Sequence, residues 1–386
     1  MEKDPAKSSR VREHMEKHDL DVIISRFTEN VLYFTNVYPI TGWATCFIFR
    51  DEDPVLFLPD SEMDFTTRAI IDDIRPVDSP GLQSIKKAME AMEIETSRVG
   101  LELTKEGLAS SHLGYEVAFP SKPTFDLVKS TLKGCEIVDA TPAIDEMREC
   151  KTDFELEQYK LVNELNYYGL QAASELLHVE GISEMRIATE CEKAIMDSIE
   201  NQDGVDFIRS YAFVMAGPNG IKACRPYNIS TAYKCKKGEF VMLELNTHVN
   251  GYWSDLTRTW VCGRRPTETQ QYQADAVNEA IDAALAVMLP GNPWLDAYNR
   301  SREAIKKSGF GELHTPFLGH GIGVKLHEKV PMMHDQVDPS SLFKVGNYCS
   351  VEPGLYLKKM GALRFERNVA ITQDGAEIFD EFPCLL

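Results

Sequence analysis

Residues 239–261 read EFVMLELNTHVNGYWSDLTRTWV, and this stretch decides the fold of the C-terminal half. Asn250-Gly251 is a strong signal for a two-residue hairpin loop, because both residue types accept left-handed backbone. Alternating residues flank the pair. If these two residues form the loop, Val249 faces Tyr252, and counting outward Asn246 faces Asp255. Glu244 then lies two residues further along the same face, within a diagonal reach of roughly 7–8 Å of Asp255. Two carboxylates facing each other inside an apolar sheet repel unless a proton or a cation bridges them. VMLEL and LTRTWV surround the acids with apolar side chains, which favours a buried pair over a solvated face.

Three more polar interruptions stand further along the chain. In LGHGIG (318–323) the glycines let backbone come close to His320 and to whatever it binds. His327 follows seven residues later, with Glu328 beside it. In VEPGLY (351–356), Glu352 ends a strand just before a Pro-Gly break. In LRFERN (363–368), Arg364 and Glu366 share one strand face, two residues apart. Taken singly, His320 reads as an ordinary core or surface histidine, and Arg364–Glu366 as a surface ion pair.

The elements around these motifs are readable from periodicity. Thr152 and Glu155 have the form of a capping box that opens a long helix. Its apolar stripe reads Leu161, Leu165, Tyr168, Ala172 and Leu176. Further helices are expected over 183–199, over 267–288 with a stop at Pro290-Gly291, and over 294–307. Strands are expected at 210–217, 239–249, 251–263, 348–357 and 363–372. The first ~145 residues alternate strands (21–25, 46–50, 55–59, 99–103) with helical stretches (9–18, 84–92). Asp51–Pro54 marks a hairpin turn between two of those strands. A domain boundary is expected near Glu149–Lys151.

Bulk composition narrows the class of function. Of 386 residues, 60 are acidic and 41 basic, a net charge of −19. A field of that sign repels phosphate backbones, which argues against nucleic-acid binding. The nine cysteines are scattered without C-x-x-C or zinc-type spacing, as expected of free thiols in a reducing compartment. The first twenty residues are charged and lack an apolar h-region, and no apolar run approaches ~18 residues. These features predict a cytoplasmic protein that does not enter a membrane.

The order of motifs is specific: an acid, a second acid eleven positions on; then G-H-G-I-G; then E-P-G-x-Y; then R-x-E. It resembles the pita-bread family of methionine aminopeptidase, prolidase, aminopeptidase P and creatinase. The likeness spans nearly the whole chain. Asn30–Asn36 (NVLYFTN) is similar to the creatinase/prolidase N-terminal domain, and Met147–Thr152 to the family's domain junction. The resemblance implies an α/β (α+β) protein with a creatinase-like N-terminal domain over 1–148 and a pita-bread catalytic domain over 152–386. Carried over by motif, the metal ligands are Glu244, Asp255, His320, Glu352 and Glu366. The implied cofactor is a pair of divalent ions, Mn²⁺, Co²⁺ or Fe²⁺, with Zn²⁺ as a further option. Oxygen-rich ligation with one imidazole suits that set. Glu352 is the implied general base, His327 the proton donor or carbonyl anchor, and Arg364 the partner that holds Glu366. The family's dimers imply a homodimer.

Three positions depart from the family pattern. Glu244 stands where the family has Asp. Pro226-Tyr227 stands where its peptidases have Pro-His, which makes Tyr227 a substrate-facing residue without histidine's pKa near neutrality. Pro316 replaces a second histidine, with His314 two residues away. The expected activity is Xaa-Pro dipeptidase-like hydrolysis of a C–N bond in a small peptide. Non-peptide hydrolysis or lysis of the creatinase, ectoine hydrolase or dimethylsulfoniopropionate lyase kind stays open, as does protein binding without catalysis.

Overall fold

Chain contacts divide the protein into Met1–Arg148 and Glu149–Leu386. The computed structural model describes residues 3–78, 81–95, 97–104, 122–224, 228–311, 317–328, 333–357 and 361–386.

The first unit runs α1 (Pro5–Lys17), β1 (Val22–Ser25), α2 (Thr28–Thr35), β2 (Thr45–Phe49), β3 (Val55–Pro59), β4 (Asp73–Val77), α3 (Leu82–Met92), β5 (Arg98–Leu101), α4 (Lys122–Thr131), β6 (Glu136–Asp139) and α5 (Thr141–Glu149). Its six described strands form one sheet in the order β4-β3-β2-β1-β5-β6. Every residue of β1 is buried, as expected of a central strand covered on both faces. β2 and β3 pair antiparallel with Phe47 opposite Val55, so Asp51–Pro54 lies in the connection, where the turn was expected. α1 starts at Asp4, whose side chain accepts from the Lys7 N–H, with Pro5 in the first turn.

The second unit runs α6 (Asp153–Glu175), α7 (Glu184–Asp197), β7 (Ile208–Ala216), β8 (Phe240–Val249), β9 (Tyr252–Val261), α8 (Glu268–Leu285), α9 (Trp294–Lys307), β10 (Tyr348–Val351), β11 (Gly354–Leu357), β12 (Gly361–Arg364), β13 (Arg367–Thr372) and β14 (Gly375–Ile378). Its strands form three sheets, β7-β8-β9, β10-β13-β14 and β11-β12. The Thr152–Glu155 capping box forms and opens α6. Asn250 and Gly251 both adopt positive φ, 52° and 91°, which closes the β8–β9 hairpin in two residues. The register follows: Val249 pairs with Tyr252, Asn246 with Asp255, and Glu244 with Thr257. One apolar cluster packs α6 and α7 onto β7-β8-β9. A second packs α8 and α9 against the β10–β13 segment.

The buried face of α6 differs from the stripe read by spacing. Tyr159, Val162, Leu165, Gly169, Leu170 and Ala173 are buried, whereas Tyr168 is 51% exposed. The buried face also carries two asparagines. Asn163 bonds the Tyr348 hydroxyl at 2.8 Å and Asn166 bonds Ser254 at 2.5 Å. Hydrophobicity alone could not assign those polar positions to the core. The expected strand at 363–372 is also broken, because Phe365 and Glu366 fall between β12 and β13. Leu165→Ala should therefore cost ~2–5 kcal/mol of unfolding free energy. Tyr168→Ala should stay within about 0.5 kcal/mol. Urea midpoints of the two variants against wild type check the difference.

Candidate metal centre

The β8–β9 hairpin and the strands beside it bring four carboxylates into the interior of the second unit. Glu244 projects from β8 and Asp255 from β9, Glu352 lies in the break after β10, and Glu366 in the break after β12. All four are buried, as are His320 and Arg364. Asp255, His320 and Glu366 each present a ligand atom within 4.8 Å of the other two. His320 Nε2 stands 3.3 Å from Asp255 Oδ2 and 3.7 Å from Glu352 Oε1. Its other ring nitrogen is 3.0 Å from the Gly321 carbonyl, which orients the imidazole and leaves Nε2 facing the acids.

The loop around His320 can approach this closely because of its glycines. A Cβ on Gly319 would sit 2.1 Å from the Ser350 carbonyl oxygen. Ser350 in turn accepts from the His320 N–H at 3.1 Å and donates to Glu352 at 3.2 Å.

Each carboxylate has its own support. Asn246 donates to Asp255 Oδ1 at 2.6 Å, across the non-diagonal pair that the hairpin register creates. Thr257 donates to Glu366 Oε2 at 2.7 Å. Asn368 accepts from the Asp255 N–H and donates to the Asp255 carbonyl. Arg258, fully buried, binds the Glu366 carbonyl at 2.6 Å and the Asp380 carboxylate. Thr257, Arg258 and Asn368 were not singled out in the sequence. Their signal was present as polar residues inside apolar strands.

Arg364 occupies a different position from the one expected. Its Nη2 donates to Glu244 Oε2, its Nη1 lies 3.5 Å from Glu352 Oε2, and its Nε donates to Thr257 at 2.9 Å. No hydrogen bond or ion pair joins it to Glu366 among the described residues. The extra methylene of Glu244, relative to aspartate, carries its carboxylate out to the guanidinium. The surface-pair reading fails too, since Arg364 and Glu366 are buried. His327 packs its ring 4.1 Å from that of His320. Tyr227, Pro226, His314 and Pro316 lie outside the described residues.

The charges do not balance without a cation or protons. Four carboxylates face one guanidinium, and burial makes the excess costly. Burial pushes Glu244 up to about 7 despite Arg364, with the charges of Asp255 and Glu352 adding to the rise. Burial and the neighbouring acids also raise Glu366 far, and burial raises Glu352. Burial opposes a charged His320, but Asp255 and Glu352 outweigh it and bring the imidazole to about 9. Glu366 Oε1 is buried with no hydrogen-bond partner among the described residues. An orphaned carboxylate oxygen beside an imidazole nitrogen and two more acids is a donor set that fits a divalent metal ion.

Comparison with known proteins shows the family. The sequence profile of metallopeptidase family M24 matches residues 157–373, and that of the creatinase/prolidase N-terminal domain matches residues 7–150. The Xaa-Pro dipeptidase of Pyrococcus furiosus is 28% identical over 365 residues, 94% of each chain. That of Pyrococcus horikoshii is 25% identical over 372 residues, 96% of this chain and 95% of the relative. The structure of an Xaa-Pro dipeptidase from Bacillus anthracis superposes with a TM-score of 0.79 at 20% identity, over 99% of this chain and 98% of that one. The last comparison establishes a shared fold.

The raised pKa values set the sign of a pH effect. Between the ordinary carboxylate value of 4.5 and the raised folded values, about 7 for Glu244, the metal-free fold holds protons that the unfolded chain has released. Its stability from these groups therefore falls as pH rises through that window, and the raised His320 extends the fall towards about 9. A cation replaces those protons, so it binds more tightly at higher pH. Mn²⁺ or Co²⁺ at a hundredfold excess over Kd should raise Tm by about 5–10 °C near pH 8. The rise should shrink towards pH 5 and be lost in His320→Ala. Thermal scans across pH, with and without metal, check both.

Proposed function

The chain belongs to metallopeptidase family M24, and from that premise we propose that this hydrolase is an Xaa-Pro dipeptidase, cleaving the bond before proline in a dipeptide. The convergence of Asp255, His320, Glu352 and Glu366 on one buried centre supports the reading most directly. The Pyrococcus relatives named Xaa-Pro dipeptidase, covered over 94% and 95% of their length, support the substrate class.

We assign the tightly held divalent ion to Asp255, His320, Glu352 and Glu366, with Mn²⁺, Co²⁺ or Fe²⁺ preferred by the oxygen-rich set. A second ion would need Glu244, whose carboxylate is hydrogen-bonded to Arg364. Binding there competes with the guanidinium, so the second ion is held more weakly than the first. When bound, the metal supplies Lewis acidity that makes a water acidic near neutral pH and polarises the scissile carbonyl.

The remaining chemistry belongs to the chain's own side chains. Glu352 takes the proton from the attacking water and delivers it to the departing proline nitrogen as the C–N bond breaks. Burial, which raises its pKa, makes it a stronger base than an ordinary carboxylate. His327, exposed and with its ring tilted against that of His320, donates a hydrogen bond to the substrate carbonyl. Asn246, Thr257 and Asn368 hold the acids in position so that little reorganisation accompanies proton transfer. Tyr227 faces the substrate in place of a titrating histidine. Arg364 neutralises Glu244.

Free cysteines support a reducing, cytoplasmic location, and no described helix is long and apolar enough to cross a membrane. The family resemblance supports a homodimer.

With Mn²⁺ or Co²⁺ present, the protein should hydrolyse Ala-Pro or Met-Pro. Glu352→Gln should lower kcat by about 10²–10⁴-fold, the usual weight of a general base. His327→Ala should lower kcat/KM while leaving metal content intact. A metal-loaded protein that turns over no proline dipeptide, but acts on creatine, ectoine or a related small molecule, would overturn the dipeptidase assignment and keep the hydrolase.

A further inference from the structure

The first unit brings together three metal-ligating side chains that the proposed reaction does not use. His14 lies in the last turn of α1, and His18, four residues on, caps the helix at its C-terminal end. Glu146 reaches them from α5. His14 Nδ1 lies 3.4 Å and His18 Nε2 3.0 Å from Glu146 Oε2. One ligand atom from each residue falls within 4.8 Å of the other two. Zinc–ligand bonds of about 2.0–2.1 Å in a tetrahedron put ligand atoms about 3.3 Å apart. The two histidine–glutamate separations are therefore already those of tetrahedral corners. His14 Nδ1 is buried and has no hydrogen-bond partner among the described residues. The three side chains are 19%, 27% and 25% exposed, so solvent can reach a fourth position.

We propose that His14, His18 and Glu146 form a second divalent-cation site, selective for a Zn²⁺-like ion. Two imidazoles and one carboxylate favour zinc, nickel or copper over manganese. The catalytic centre, with one imidazole among four carboxylates, has the opposite preference. The protonation states suit binding. Burial lowers the His14 pKa, which keeps the ring neutral with a free lone pair. Burial would raise Glu146, but hydrogen bonds from His18 and Lys17 outweigh it and hold the carboxylate near 2, ionised.

One group opposes the ion. Lys17 Nζ lies 2.6 Å from Glu146 Oε2 on a side chain that is 59% exposed. Exposed pairs of this kind are weak, so the ammonium can move into solvent when a cation takes its place. Lys17 is thus a built-in competitor, and its removal distinguishes a metal site from a plain ion-pair cluster.

The test uses the full chain, stripped of metal and titrated with Zn²⁺ by calorimetry. Wild type should bind one more equivalent than His14→Gln/His18→Gln, and Mn²⁺-supported turnover should be equal in both. Lys17→Ala should tighten zinc at this site about threefold to tenfold, from one removed positive charge at partly screened range. Equal zinc stoichiometry in wild type and the folded double variant would overturn the proposal. Should the double variant fail to fold, an unchanged zinc affinity in Lys17→Ala would overturn it instead.

Discussion

Four carboxylates in the interior of one domain, with a single guanidinium among them, are the constraint to which the rest of the catalytic unit answers. Burying an ionised carboxylate costs several kcal/mol unless it is paired. Glu244, Asp255, Glu352 and Glu366 are nevertheless all buried. The surrounding polar groups make sense as a response. Asn246, Thr257, Ser350 and Asn368 each supply a hydrogen bond to an acid or its backbone. Arg258 is buried at 0% exposure only because Asp380 and the carbonyls of Thr257, Glu366 and Phe382 take up its donors. Those contacts fix the backbone from which Glu366 projects. The apolar clusters on either side keep water out and make each of these electrostatic terms larger.

The two sides of the centre are not equivalent. Asp255, His320 and Glu366 converge, with Glu352 at 3.7 Å from the same imidazole nitrogen. Glu244, opposite Thr257 in the hairpin, turns to Arg364. A glutamate here, one methylene longer than an aspartate, brings its carboxylate within hydrogen-bond reach of the guanidinium, which supplies positive charge beside it. The same guanidinium stands 3.5 Å from Glu352, so it also limits how far that base can rise in pKa. One arginine thereby touches both Glu244 and the group proposed to move the proton.

Much of this was legible in the sequence, for identifiable reasons. Asn250-Gly251 fixes a two-residue loop, and a period of two then dictates that Asn246 meets Asp255. Glu352 and His320 were each weak taken singly, and only the order of the motifs singled them out; in the structure both are buried, and Gly319 leaves room for the Ser350 carbonyl beside His320. What stayed hidden depended on tertiary partners. The buried face of α6 includes Asn163 and Asn166, whose bonds to Tyr348 and Ser254 cannot be inferred from hydrophobic spacing. Arg364 and Glu366 look like a same-strand pair, yet the strand breaks between them and Arg364 turns to a residue 120 positions away. Thr257 and Asn368 are small polar residues in apolar strands, a local signal that marks the positions without saying which acid each one supports.

We propose that a divalent ion completes the charge balance between Asp255, His320, Glu352 and Glu366. Anomalous diffraction from crystals grown with Mn²⁺ and measured at the manganese edge tests it most directly. A strong peak is expected in contact with His320 Nε2 and Asp255, Glu352 and Glu366, and a weaker one or none beside Glu244. No peak at His320 under saturating Mn²⁺, or full occupancy confined to the Glu244 side, would contradict it.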